Sequence, residues 1–404
     1  MRTACAWVAG LTLPILLVAA LAAGAAEPPD SARGGPAPQF APNPKLASIP
    51  AGTAVVVSEG YKGDHNVLDF SGIVYDQHRH KLMAFGGGHA TARFPSSVHE
   101  FDLDRLEWQE LIESVPPKEY TRENAVLDKD GKALGGVKYK GRIQASSRHT
   151  YDGLVMAPDR DVMLCLQRVG EIGGGYLDGK VYTECYKGGG LWAFDPVKRE
   201  WSVSKSSALA MNHVGTAIWP KEPDWVYVYA QTGEFRAVNW KTEEVRNLGR
   251  IAGGMGYSYA GLEYWPDEEA LVAFPKGSKD NPKNRLMCKY DLAGKKWTTV
   301  EVQGDAPDTY DINVVYDARN KAFVCCSGGG FFYYLPRENR WHKAATDPNM
   351  LQGGVRHRHA YDPVDNVHLV VGGRWKTVAF KLADDPAKLP LAGAAVAPGN
   401  GQAK

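Results

Sequence analysis

The sequence predicts an all-β fold, a six-bladed β-propeller, and three features carry that expectation. An aromatic-Asp step recurs with Trp six residues after the Asp: Phe101-Asp102 with Trp108, Phe194-Asp195 with Trp201, and Tyr290-Asp291 with Trp297. Upstream of each step lies a second pair of apolar runs joined by a polar turn, so every unit offers four short strands. The composition agrees, since 44 Gly, 19 Tyr and 11 Trp in 404 residues suit many strands linked by tight turns.

In chain order, Met1 and Arg2 precede an apolar run over residues 4–21 and small residues through Ala26. A basic start, an apolar stretch and a small-residue end describe a signal peptide over residues 1–26. They predict a secreted or periplasmic protein with no membrane span after signal removal. Residues 27–47 are rich in Pro and Ala and read as a disordered linker, and residues 384–404 as a disordered tail. The propeller is then expected over residues 48–383.

Within it, first strands begin at Gly72, Gly153, Gly215 and Gly261, with counterparts near Val314 and Ala360. Second strands end on Gly86-Gly87-Gly88, Gly328-Gly329-Gly330 and Gly372-Gly373. Tyr334-Leu335 before Trp341 and Val238-Asn239 before Val245 keep the third-to-fourth-strand offset. Four strands cannot bury both faces alone, so units must stack on one another, and radial stacking gives a propeller. The last unit has three strands. The isolated β-run over residues 54–57 is expected to supply the fourth, closing the ring and removing an exposed edge. Seven blades, the alternative, would need residues 113–143, which are rich in Lys, Gly and Asp with little alternation. That stretch reads instead as a long loop with room for one hairpin.

The di-glycine after the second strand and the Trp of the fourth resemble the kelch repeat. The likeness covers roughly residues 51–382 and is similar to the central domain of galactose oxidase and to bacterial kelch proteins. Such a resemblance implies a fold far more than a function.

With 47 Lys+Arg against 46 Asp+Glu, the chain carries no charge surplus suited to nucleic acid. Beyond the signal lie Cys165, Cys185, Cys288, Cys325 and Cys326. Either Cys165 and Cys185 bridge across a hairpin-like insertion, or all five are buried thiols. Neighbours Cys325 and Cys326 should point to opposite faces of their strand. No spacing resembles a zinc site, and no metal or cofactor is expected.

First strands of a propeller line its axis, so candidate site residues follow from aligning the turns that end them: Pro158, Pro220, Pro266, Asp317 and Pro363. Seven residues earlier stand Tyr151, His213, Tyr259, Tyr310 and Arg356, with Phe70 in the first unit. His149 and Tyr257 lie two residues further back, and Arg148, His89 and His357 fall at the same mouth. Asp152 is out of phase with this column. His78, His80, His99, His342 and His368 lie in turns or outer strands and read as surface or satisfied residues.

Convergent polar and aromatic groups in a concavity favour ligand binding. Tyr and Trp stack on sugar rings and Arg pairs with acidic substituents, so carbohydrate or another extracellular ligand is the expected partner of a monomeric protein. A second reading is a polysaccharide lyase. Arg148 or Arg356 would neutralise a uronate carboxylate, His149 or His213 would take the adjacent proton, and Tyr259 or Tyr310 would protonate the leaving oxygen. Some propeller lyases use such sets, a likeness of residue types and fold. A third reading is a non-catalytic protein-interaction scaffold. Copper-radical chemistry of the galactose oxidase kind is disfavoured because the column holds no Cys.

Overall fold

The recurring aromatic-Asp step is a turn with a mechanism. In the computed structural model the Asp102 Oδ1 accepts the N–H groups of Asp104 and Arg105, both at 3.0 Å, so the side chain pins the bend. Asp195 does the same for Val197 and Lys198, Asp291 for Ala293 and Gly294, and Asn239 for Lys241 and Thr242. The turn returns the chain through a left-handed residue, Leu106, Arg199, Lys295 or Glu243. This brings the Trp directly opposite the aromatic across the ladder: Phe101 faces Trp108, Phe194 faces Trp201, Tyr290 faces Trp297 and Tyr334 faces Trp341. Ring centroids in these pairs lie 5.0–5.6 Å apart, the contact range of favourable aromatic pairs.

The structure describes residues 40–87, 95–169, 187–251, 260–275, 286–307, 313–347, 349–351, 357–385 and 389. Among them the protein is all-β and built mainly of four-stranded antiparallel sheets, consistent with a β-propeller-like fold. Strand β1 (Thr53–Ser58) precedes the first sheet, β2 (Ile73–Asp76), β3 (Lys81–Phe85), β4 (Val98–Asp102) and β5 (Glu107–Ile112). A three-stranded sheet follows, β6 (Ala125–Leu127), β7 (Ala133–Tyr139) and β8 (Arg142–Ala145). The second sheet is β9 (Leu154–Met156), β10 (Met163–Cys165), β11 (Trp192–Asp195) and β12 (Glu200–Val203). The third is β13 (Val214–Ile218), β14 (Trp225–Ala230), β15 (Glu234–Asn239) and β16 (Val245–Arg250). The fourth is β17 (Glu263–Trp265), β18 (Ala270–Ala273), β19 (Leu286–Asp291) and β20 (Lys296–Glu301). In the fifth, β21 (Gln303–Gly304) runs parallel to the last strand of β22 (Val315–Asp317), β23 (Ala322–Ser327), β24 (Gly330–Leu335) and β25 (Arg340–Lys343). The sixth is β26 (His359–Asp362), β27 (Val367–Val371) and β28 (Thr377–Lys381), with β1 paired antiparallel to β28 from Thr53↔Lys381 to Val56↔Val378.

Each sheet shares an apolar core with the next. Phe85 and Val98 of the first pack with Met163 and Trp201 of the second, and Leu164 of the second with Val226 and Val228 of the third. Phe235 of the third meets Tyr290 of the fourth, Val272 of the fourth meets Phe323 and Trp341 of the fifth, and Phe331 of the fifth meets Phe380 of the sixth. Leu82 and Trp108 of the first sheet also share a core with Leu369 and Val371 of the sixth. The first strands follow suit: β2 lies beside β9 and β26, β13 beside β9 and β17, and β22 beside β17 and β26. Glycines permit that approach. A Cβ on Gly72 would stand 2.1 Å from the Tyr151 carbonyl oxygen, and one on Gly261 would stand 2.4 Å from Asn313 Oδ1.

The structure departs from the sequence reading in two places. Residues 125–145 form a three-stranded sheet rather than a loop with a hairpin. Gly135-Gly136 interrupts the apolar alternation there because Trp192 packs onto it, and a Cβ on Gly136 would lie 2.1 Å from the indole ring. The described end of the supposed linker is ordered: Asn43 caps a short helix, Pro44–Ala47, and its side-chain nitrogen donates to the carbonyls of Leu103 and Asp104. Leu46 and Ile49 enter the core shared by the first and sixth sheets, which anchors this segment. Of the two cysteine readings the structure follows the second as far as it is described: Cys165 is a buried thiol beside Arg148, like the buried thiols of Cys288, Cys325 and Cys326, while Cys185 lies outside the described residues. Cys325 and Cys326 do face opposite ways, into different cores. Among the described residues no helix is long and apolar enough to cross a membrane.

Candidate functional site

Immediately before β2, β9 and β13 the backbone turns through a left-handed residue, and all three carry large side chains: Phe70 at φ +55°, Tyr151 at +47° and His213 at +49°. Bulky residues rarely adopt this conformation, which costs roughly 1–2 kcal/mol, so the surrounding packing must impose it. The Tyr151 N–H donates to the Phe70 carbonyl at 2.9 Å, and the His213 carbonyl accepts from Gln231 N at 2.9 Å, locking both bends.

These bends turn the side chains toward one another. His149 stacks on Phe70 with centroids 4.2 Å apart, and its Nδ1 lies 3.0 Å from the Tyr151 hydroxyl. Tyr151 meets His213 edge-on at 5.0 Å and His357 edge-on at 5.5 Å. His213 Nδ1 lies 2.6 Å from Gln231 Oε1, which accepts its proton and leaves the lone pair on Nε2. Phe70, His149 and His213 are half-buried, whereas Tyr151 and His357 are buried beneath them. The result is an accessible aromatic–imidazole layer resting on a tyrosine floor.

Four of the ten sequence candidates therefore meet: His149, Tyr151, His213 and His357. Arg148 does not join them. Its buried guanidinium donates to the carbonyls of Ser146, Gln167 and Gly135 and lies against the Trp192 ring, a structural strut between β7 and the second sheet. His89, Tyr257, Tyr259, Tyr310 and Arg356 lie outside the described residues. The hairpin registers also correct one alignment. Asp317 pairs with Ala322 as Asp76 pairs with Lys81 and Asp362 with Val367, one residue ahead of the turn position used for the other units. Counting back from the matching position reaches Asp311 rather than Tyr310, both outside the described residues.

Below this layer, a cavity of about 340 Å³ is lined by residues of all six first strands, among them Tyr75, Thr216, Glu263 and His359, and by Asp152 and Asn313, which stand two residues before β9 and β22. Asp152 Oδ2 accepts from Leu262 N at 2.9 Å and more weakly from Thr216 N at 3.4 Å, and the Asp152 carbonyl accepts from the Thr216 hydroxyl at 2.6 Å. Asp152 thus brackets the starts of three sheets. Enclosure by protein pushes its carboxyl up to about 8, against those two N–H donors that pull it down. Glu263 is likewise raised to about 8, first by desolvation and then by the charge of Asp152. Both retain partial solvent contact through the cavity. His359 lies 3.0 Å from His368 Nδ1 through its Nε2, and burial holds it well below the usual imidazole range. Glu263 escaped the sequence reading, although a Glu two residues after the strand-opening Gly261 was its visible signal.

The two layers offer different chemistry. At neutral pH the cavity holds neutral carboxyl groups engaged with backbone, whereas the upper layer offers imidazoles, a hydroxyl and an aromatic face.

No protein-family model matches the chain, and no curated protein resembles it at a significant level. Among solved structures, it is similar to a structural-genomics protein of unknown function from Bacteroides thetaiotaomicron, with a TM-score of 0.47, 9% identity, and coverage of 81% of this chain and 74% of that one.

Proposed function

We propose that the chain is an exported kelch-type propeller of six blades, with β1 closing the ring against β28, that binds carbohydrate at the axial mouth. The cyclic sharing of cores, first sheet with sixth as well as each with the next, supports the blade count and the closure. The observation that carries the binding reading is the cluster of Phe70, His149, Tyr151, His213 and His357, in which Phe70, Tyr151 and His213 come from three units and stand on strained backbone. Strain of this kind persists where the surroundings over-determine it and gathers at ligand sites. The aromatic face suits a sugar ring, and the imidazoles suit its hydroxyls.

The test is a glycan array probed with the purified protein and with His149→Ala and His213→Ala variants. Binding that disappears in the variants while their folding is unchanged supports the reading; unchanged binding contradicts it. The hydrogen-bonded His149–Tyr151 pair favours a second reading, a uronate lyase, because proton abstraction next to a carboxylate needs such a base and acid side by side. Absorbance of a new unsaturated bond across a panel of uronate polymers separates turnover from binding. Silence across the panel removes the lyase.

A further inference from the structure

We propose that His80, Asp362 and Asp365 form a structural site for a first-row divalent cation of the zinc class, fastening the N-terminal segment to the junction of the first and sixth sheets. The three side chains are buried, and one donor atom from each lies within 4.8 Å of the others. His80 Nε2 stands 3.2 Å from Asp362 Oδ2 and 3.6 Å from Asp365 Oδ2. Metal–ligand bonds of about 2.0–2.2 Å at tetrahedral angles put donors about 3.3–3.6 Å apart. The spacing fits ligands that share a small cation.

The orientation of the imidazole fits as well. His80 Nδ1 lies 2.9 Å from Asp104 Oδ1, a half-exposed carboxylate that takes its proton. This is the carboxylate–imidazole arrangement that holds a metal-ligating histidine in one tautomer, and it turns the Nε2 lone pair toward the two buried carboxylates. Lone pairs facing lone pairs require a proton or a metal cation between them. Asp365 supplies an independent sign. Its Oδ1 accepts from Asn43 N at 2.7 Å, but its Oδ2 is buried without a hydrogen-bond partner and is aimed at His80.

A protonated His80 is the competing explanation. One imidazolium compensates one of the two buried carboxylates, and Asp365 then needs a further proton shared with Asp362. A divalent ion satisfies both. One nitrogen and two carboxylate oxygens suit Zn²⁺ or Mn²⁺, whereas Ca²⁺ prefers an all-oxygen shell. The location explains the purpose. Phe40 stacks on His80 at 5.2 Å and Asn43 binds Asp365, so the ligand set joins residues 40–43, the turn after β2 and the turn after β26. His80 and Asp362 are 282 residues apart, which is why no sequence spacing announces the set.

The test uses the full chain, stripped with EDTA, dialysed against ZnCl2 or MnCl2, and then freed of loose metal. Metal content and melting temperature are measured for wild type, His80→Gln and Asp365→Asn. The expected result is one retained ion per wild-type chain and a metal-dependent rise in melting temperature of several degrees. Both variants should lose the rise and at least tenfold in affinity. Should a variant fail to fold, the wild-type measurement alone decides. Wild type that retains no ion and melts identically with and without metal overturns the proposal in favour of the imidazolium. Retention by Asp365→Asn as tight as by wild type overturns it too.

Discussion

Two regions share the first strands of the sheets and are built to opposite ends. In the mouth, Phe70, Tyr151 and His213 accept unfavourable backbone so that rings converge on an accessible layer. In the cavity below, the carboxyl of Asp152, the very next residue after Tyr151, brackets Leu262 and Thr216 while enclosure by protein pushes it up to about 8. One region holds strain to present side chains; the other uses side chains to hold backbone. On the proposed reading the mouth serves binding and the cavity serves stability, so each substitution should move one quantity and spare the other.

The largest expected effect lies where the regions touch. Gly72→Ala drives a Cβ into the Tyr151 carbonyl and should cost about 3 kcal/mol in urea unfolding, because the obstacle is backbone. A loss near zero would mean that the approach of β2 to the Tyr151 bend is looser than described. Next comes Asp152→Ala, which leaves the Leu262 and Thr216 N–H groups without an acceptor and should cost about 2 kcal/mol.

Asp152→Asn keeps an acceptor and sharpens the contrast through pH. The unfolded carboxyl releases its proton at about 3.9. The folded one holds it to about 8. Between these values the folded state binds the extra proton, so the wild type loses stability as pH rises. The amide has no such term. Asp152→Asn should therefore gain on wild type progressively from about pH 4 to pH 8 and level off above, as read from denaturation midpoints across that range. A difference that is flat with pH would contradict the assignment.

The smallest effects belong to the mouth. His149→Ala should change stability by less than about 1 kcal/mol, since the imidazole and the Phe70 ring it stacks on are only half-buried. His213→Gly should stabilise by roughly 0.5 kcal/mol by relieving the left-handed backbone, whereas His213→Ala should not.

What the sequence made legible is what local chemistry writes into it. The Asp-pinned turn and the aromatic–Trp pair lie within one hairpin, so their spacing survives as a repeat. Features resting on another sheet left a weaker trace. Gly135-Gly136 breaks a strand pattern only because Trp192 lies on it, and Leu46 looks like one apolar residue in a polar tail until its core is known. The axial column was found by counting from turns. Among the described residues it brings Tyr151 and His213 together, and it slipped where Asp317 stood for the residue after it. Arg148 illustrates a further limit: position put it at the mouth, but three backbone carbonyls draw its side chain the other way. His80, read as surface or satisfied, is buried with both ring nitrogens partnered, but its Nε2 partner Asp362 and the nearby Asp365 lie far along the chain and left no spacing signal.

The division of labour itself is tested most directly by two double variants, His149→Ala/His213→Ala and Asp152→Asn/Glu263→Gln. Each would be measured for binding to a carbohydrate identified on the array and for its urea midpoint at pH 5 and pH 8. The account predicts that the first pair loses binding and keeps the wild-type midpoints. The second pair should keep binding and lose the fall in midpoint between the two pH values. Binding lost in the cavity pair but retained in the mouth pair would contradict it.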